Sequence, residues 1–177
     1  MALAGRAFPK LVKGVKDLCD WVGRDDIRVV VEVGVYVGDS TQMFANFFRD
    51  AVIYAVDPWE AGYDNKDAIA SRSDMAQVEA MFDQNVRHFP NIIKVKRPSI
   101  VAAKNFLDKG VDLIYVDACH QYPSIKQDIQ VWKPKVRRVF AGHDFANGWH
   151  GVDRAVREEF GQPDRTFVDG SWAVRCK

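Results

Sequence analysis

Three carboxylates stand in or directly after short apolar runs: Glu32 in Val30-Val31-Glu32-Val33, Asp57 after Ala55-Val56, and Asp117 after Ile114-Tyr115-Val116. A fourth run, ending Phe140-Ala141-Gly142, closes on His143-Asp144. A charged side chain is poor core material unless it has a partner. In an open α/β sheet, the carboxyl ends of the strands line the ligand crevice. Four polar ends on successive runs therefore predict a site. Asp117, His143 and Asp144 can converge on one divalent metal, and mixed oxygen and nitrogen donors suit manganese, iron or magnesium. His120 is near enough in sequence to serve as general base, its free pKa lying near working pH; the alternative is a helix-capping or loop residue. Because Asp117 cannot easily be both a strong metal ligand and the base, His120 is the preferred base in a catalytic set of His120, Asp117 and His143.

The glycines after Glu32 spell ExGxxxG, with Gly34 and Gly38 before a helix that opens near Asp39-Ser40-Thr41. Free N–H groups at that helix start would face a ligand, and the glycines let it approach the backbone closely. Asp57, at the next strand end, is placed to accept hydrogen bonds from a ribose diol. Trp59 either stacks on a base, walls the pocket or packs in the core. The pattern is not the dinucleotide GxGxxG, which counts against a nicotinamide cofactor and leaves a nucleoside ligand without a long pyrophosphate.

These residues need an alternating scaffold to hold them. An amphipathic helix over about 8 to 22 (Phe8, Leu11, Val12, Val15, Leu18, Trp21) covers an edge or one end. Strands follow over about 28–33, 51–56, 92–95, 112–116 and 136–141, with helices over about 40–49, 74–88, 99–108, 122–132 and 151–160. The tail offers Arg165 to Val168, an Asp169-Gly170 turn and Ser171 to Arg175, a hairpin signal. Alternating strands and helices predict a mostly parallel three-layer α/β domain, closed by one antiparallel pair. The polar stretch from Glu60 through Met75, with Gly62 and Tyr63, is either a surface excursion or a lid over the strand ends. Trp149 and His150 lie in a loop that could receive a sugar face or pack as a wedge.

With 177 residues the chain has room for one sizeable core, here a single domain over 1–177. A formal charge of +1 and no dense Lys/Arg run give no footprint for nucleic acid. No stretch reaches the apolar length of a membrane span. Three widely spaced cysteines, Cys19, Cys119 and Cys176, form no metal pattern, and their odd number fits reduced thiols in a cytoplasmic setting. Cys119 has no base arrangement that would single it out as a nucleophile.

The ordered set resembles the class I S-adenosylmethionine-dependent methyltransferases. Within them it is similar to the sugar and small-molecule O-methyltransferases related to the macrocin and cephalosporin-biosynthesis proteins. The resemblance runs from about Val29 to Cys176. It is carried by Glu32-Val33-Gly34 with Gly38, Val56-Asp57-Pro58-Trp59, and Asp112 through Asp117 with His120 and Tyr122. Lys126, Asp128, Ile129 and Trp132, then Ala141 through Phe145, and Gly151-Val152 with Ala155-Val156 complete it. It implies a Rossmann-like fold with a mostly parallel seven-stranded sheet and a C-terminal antiparallel hairpin. It also implies S-adenosyl-L-methionine as cofactor: Glu32 and Gly34 beside its methionine part, Gly38, Ser40 and Thr41 forming the turn and helix start, Asp57 on the ribose, Trp59 near the adenosine, and Ser99 toward the adenine. In metal-dependent relatives, acidic residues at the fourth and fifth strand ends hold magnesium. Asp117 and Asp144 match, whereas His143 stands where a carboxylate is usual, so magnesium or manganese is expected without being fixed. The implied reaction is inline methyl transfer to a hydroxyl of a sugar, nucleotide sugar or glycan, with no nucleic-acid or membrane partner and a homodimer allowed. The alternatives are a non-sugar small-molecule acceptor, or a catalytically inactive binding protein that kept the fold.

Overall fold

The computed structural model describes residues 9–62, 66–67 and 70–176. Phe8 and Tyr63, which the sequence reading places in the first helix and the polar excursion, lie outside them. Seven strands form one sheet: β1 (Val29–Val33), β2 (Val52–Asp57), β3 (Ile92–Lys96), β4 (Val111–Val116), β5 (Val136–Gly142), β6 (Arg165–Thr166) and β7 (Trp172–Arg175). Among the described residues, six α-helices accompany them: α1 (Pro9–Val22), α2 (Asp39–Phe47), α3 (Met75–Val86), α4 (Ser99–Ala102), α5 (Tyr122–Trp132) and α6 (His150–Phe160).

The strand order is β3-β2-β1-β4-β5-β7-β6. β1 to β5 run parallel, and β7 pairs antiparallel with both β5 and β6. From β1 the chain winds out through β2 and β3, then returns to β4 on the other side of β1. That reversal leaves a crevice at the carboxyl ends of β1 and β4.

Side-chain alternation along the central strands builds two layers. On β1, Val31 and Val33 join Ile114, Val116 and Phe140 under α4, α5 and α6, with Trp132 and Val152. Val30 faces the opposite way, with Leu113, Tyr115 and Val139, under Val15 and Leu18 of α1 and Phe44 of α2. Every residue of β4 is buried, as expected for a parallel strand covered on both faces.

Two expected elements differ. The helix over 99–108 is one turn, α4, followed by a 3₁₀ turn at Ala103–Asn105. The chain then turns extended at Phe106, whose ring packs edge-on to Tyr54 at 5.0 Å and beside Trp132 at 5.1 Å. Burial of that ring outweighs the few helical hydrogen bonds given up. The closing hairpin has strands shorter than predicted, because Arg165↔Ala173 and Thr166↔Trp172 are its only paired positions. Asp169-Gly170 is not a two-residue turn but part of a wider loop, closed by Phe167 N–H to Ser171 C=O at 2.8 Å and Gly170 N–H to Phe167 C=O at 3.1 Å.

Candidate active site

The strand-end residues meet at the crevice. Asp117 follows β4 and donates its N–H to the Val33 carbonyl at 2.7 Å, while Gly34 donates to Val56 at 2.9 Å. Gly34 has φ +81°, and a Cβ there would lie 2.1 Å from the Asp117 carbonyl oxygen. The first glycine of the motif thus lets the β1 loop cross against the β4 end.

Glu32 is fully buried and faces α2, where Ser40 Oγ and Thr41 Oγ1 (2.5 Å) donate to its two oxygens. Its acidity follows: burial pushes the carboxyl up, the two hydroxyls resist, and it comes to about 8. Ser40 and Thr41 therefore serve Glu32 and lock the start of α2 to β1. Gly38 caps α2 in the left-handed conformation. Asp57 Oδ2 accepts from the Val35 and Tyr36 amides at 2.8 and 3.1 Å, and Oδ1 from the Trp59 amide at 2.7 Å. Trp59 follows in the same loop. It is buried against Phe82 with ring centroids 4.9 Å apart, and its indole N–H donates to Tyr36 at 3.0 Å. Ser99 Oγ accepts from Trp132 Nε1 at 2.9 Å and bonds the buried Asp128 of α5. Burial raises Asp128 to about 6 despite that bond.

Across the crevice, Asp117, His120 and Asp144 each present one donor atom, and these atoms lie within 4.8 Å of one another. Asp144, at φ +63°, is the hub: it accepts from His120 Nε2 at 2.8 Å and Asn147 Nδ2 at 3.0 Å, with His143 Nδ1 at 3.3 Å. His143 Nδ1 is 3.8 Å from Asp117. Spacing put His143 among the metal donors and His120 outside as base. The compact donor group found among the described residues has His120 in that place and His143 at its rim. The reason is the loop after β4, which folds His120 back over Asp144 and stacks it on Trp149 at 4.2 Å. Trp149 thus has one face covered by His120. Gly151 of α6 allows this approach, since a Cβ there would meet the His120 carbonyl oxygen at 2.4 Å.

Two carboxylates and an imidazole so placed suit a divalent cation. Asp67 Oδ2, in the segment read as surface excursion or lid, also comes within 4.0 Å of His120 Nδ1. Electrostatics marks the same place. Burial alone would pull His120 down, yet its bonds to Asp117 and Asp144 carry it up to about 11. Burial likewise opposes the rise of His143, which the charge of Asp117 and the Asp144 contact bring to about 9. Asp144, despite burial, is held well below the usual carboxylate range by the two histidines.

One residue escaped the sequence reading. Asp169, taken as a turn residue, lies buried under the cluster, its Oδ2 3.7 Å from His143 Nε2. Its one sequence signal was an acidic residue beside an apolar strand.

These shifts set a pH dependence. Asp128 and Glu32 bind more protons folded than unfolded between their ordinary values of 3.8 and 4.5 and about 6 and 8. His143 and His120 do so from 6.5 to about 9 and 11. Wherever the folded state holds the extra proton, stability falls as pH rises. Melting temperature, followed by scanning calorimetry, is expected to fall steadily from pH 5 to 9, and Glu32→Gln to flatten the lower half of that slope.

A glycine loop at the reversal of a seven-stranded sheet, flanked by strand-end carboxylates, defines a Rossmann-like fold of the class I S-adenosylmethionine-dependent methyltransferase type. Residues 31–145 match the methyltransferase domain family, and the chain belongs to it. Among solved structures, the calicheamicin methyltransferase CalS11 is similar at 16% identity, covering 90% of this chain and 76% of that one, with a TM-score of 0.62. A second structure of CalS11 describes it as a TDP-rhamnose 3'-O-methyltransferase and matches at 17% identity over the same shares, TM-score 0.58. A SAM-dependent O-methyltransferase from Thermotoga maritima is 12% identical over 98% of this chain and 68% of that one, TM-score 0.61. No curated protein matches the sequence significantly. No helix among the described residues is long and apolar enough to cross a membrane.

Proposed function

We propose that this protein is an S-adenosylmethionine-dependent O-methyltransferase acting on a hydroxyl of a sugar, nucleotide sugar or glycan end, assisted by a divalent cation. The observation that carries the reading is the Asp117–His120–Asp144 group at the ends of β4 and β5, beside the Gly34 loop at the end of β1. S-adenosylmethionine would supply an activated methyl group on its sulfonium. A cation such as magnesium or manganese, held by Asp117, His120 and Asp144, would stabilise charge developing on the acceptor oxygen.

The rest is the work of the chain. Gly34 and Gly38 let the donor-binding turn pack closely on Asp117 and Phe82, and Glu32 keeps that turn in place through Ser40 and Thr41. Asp57 takes the ribose hydroxyls with a carboxylate already oriented by three amides. Trp59 and Ser99 act from behind the adenosine, one packed under Asp57 and the other pinned to α5. With His120 drawn into the donor group, His143 at its rim would be the base that receives the acceptor proton, a bound cation offsetting the Asp117 and Asp144 charges that otherwise keep it protonated, and Asp117 would orient the hydroxyl. Holding donor and acceptor in line supplies much of the remaining rate. The sugar acceptor is favoured by the polar rim around the cluster and by the activity described for CalS11.

Calorimetric titration of the metal-free protein with S-adenosylmethionine, repeated with magnesium and then manganese, tests the proposal. Saturable cofactor binding and a cation-binding heat lost in Asp117→Ala are expected. Absence of cofactor binding in folded protein would overturn the enzyme reading.

A further inference from the structure

The crevice occupies the carboxyl ends of the strands, and a second concentration of charge lies at their amino ends. There Ile27 and Arg28 lead into β1, and Phe48, Arg49 and Asp50 lead into β2. Together with Arg24 and Phe47 they line a cavity of about 200 Å³. The length of β1 alone separates it from the crevice by roughly 15 Å.

Each of the three guanidiniums is oriented by one contact. Arg24 lies over the Phe47 ring at 4.3 Å, Arg28 donates to the Ile27 carbonyl at 3.2 Å, and Arg49 donates to the Asn46 carbonyl at 3.3 Å. Asp50 shares the lining and Asp25 follows Arg24, yet among the described residues neither carboxylate stands within ion-pair distance of the three. Other acids nearby are engaged elsewhere: Asp20 holds Lys16 at 2.6 Å, and Asp26 holds Arg138 at 3.2 Å. Arg24 and Arg49 follow the carboxyl ends of α1 and α2, where the helix dipole favours a cation. That accounts for the place of two charges. Arg28 answers to no helix end, and a single carbonyl contact leaves most of a guanidinium's N–H groups to be satisfied.

Three guanidiniums against one carboxylate leave two net positive charges in the lining, the complement of a dianion. Guanidinium forks match the oxygens of a phosphate in pairs. A second cavity, of about 270 Å³, adjoins the first, sharing Arg24 and Phe47, and is walled by Cys19 of α1 and Met43 of α2. We infer that the two cavities bind a small phosphate monoester. The phosphate lies among Arg24, Arg28 and Arg49, and its organic group passes the Phe47 ring toward Cys19 and Met43. This site is separate from the one proposed for methyl transfer and stands whether or not that reading holds.

The test is ¹H–¹⁵N correlation of the arginine Nε–H groups in the full chain at constant ionic strength, titrated with phenyl phosphate and, in a second sample, with inorganic phosphate. Arg24→Gln, Arg28→Gln and Arg49→Gln assign the three signals. Saturable shifts of all three are expected with both probes, phenyl phosphate binding the more tightly. Arg28 is exposed, so its substitution should leave the fold intact, which circular dichroism checks. Arg28→Gln is expected to weaken phenyl phosphate about tenfold, the worth of one charge-assisted hydrogen bond. Absence of saturable shifts at these arginines in the wild type would overturn the inference, as would undiminished binding in folded Arg28→Gln. Inorganic phosphate binding as tightly as phenyl phosphate would overturn the ester and assign the site to free phosphate. If a variant does not fold, the wild-type titrations decide.

Discussion

Asp144→Asn is expected to lower manganese affinity by about a hundredfold or more, since loss of outer-shell partners alone costs ten- to a hundredfold and this residue is proposed as an inner donor. Methyl transfer falls with it. Asp144 gathers His120, His143 and Asn147 around one carboxylate, so its charge organises the whole cluster. Asparagine has the same shape and is among the few residues that tolerate φ +63°, so the backbone survives the change. With the charge gone, both imidazoles lose part of what raises them, and the proposed cation site loses one of its three donors. Calorimetric titration with manganese, with circular dichroism to confirm the fold, reads the outcome. Asp112→Asn is the control. That carboxylate is also buried but sits at the opposite end of β4, accepting from the Arg28 and Val29 amides and from Arg137 Nε at 2.9 Å. Its loss lowers stability and leaves cation affinity unchanged. Retained manganese binding in a folded Asp144→Asn would place the cation elsewhere.

Gly34→Ala is expected to cost about 3 kcal/mol of stability or more, from a strained left-handed backbone together with a steric clash. The added Cβ would stand 2.1 Å from the Asp117 carbonyl oxygen and 2.5 Å from its carbon. Neither atom can move cheaply, because Asp117 N–H is bonded to Val33 and Gly34 N–H to Val56. Relief requires parting β1 from β4 at the crevice, which displaces the loop proposed to admit the cofactor and the carboxylate proposed to serve the cation. Urea unfolding should show an early midpoint, and S-adenosylmethionine titration a loss of binding in whatever fraction folds. A variant with wild-type midpoint and wild-type cofactor affinity would show that the loop is not held as described.

The scaffold was legible in the sequence because its signals are local. Apolar runs with polar ends mark β1 to β5, apolar periodicity marks the helices, and the strand–helix alternation dictates a parallel sheet with its ligand edge at the strand ends. The acidic ends Glu32, Asp57 and Asp117, with His143-Asp144, could be placed at that edge from position alone. What each atom faces was not local. Glu32 turns to Ser40 and Thr41 because alternation along β1 points it at α2. Trp59 is core because its backbone turns under Asp57 and buries the ring on Phe82. His120 joins Asp117 and Asp144, with His143 at their rim, because the loop after β4 folds back onto Trp149, a contact between residues from different elements. Asp169 had only its place beside an apolar strand to mark it. Only the antiparallel pairing of β7 with β5 carries the β6–β7 loop beneath His143, and only α1, with Gly14 opposite, closes the space around it. Sequence spacing fixes positions along a strand, whereas the distances that make chemistry arise between strands, from register and packing that bring together residues far apart in the chain.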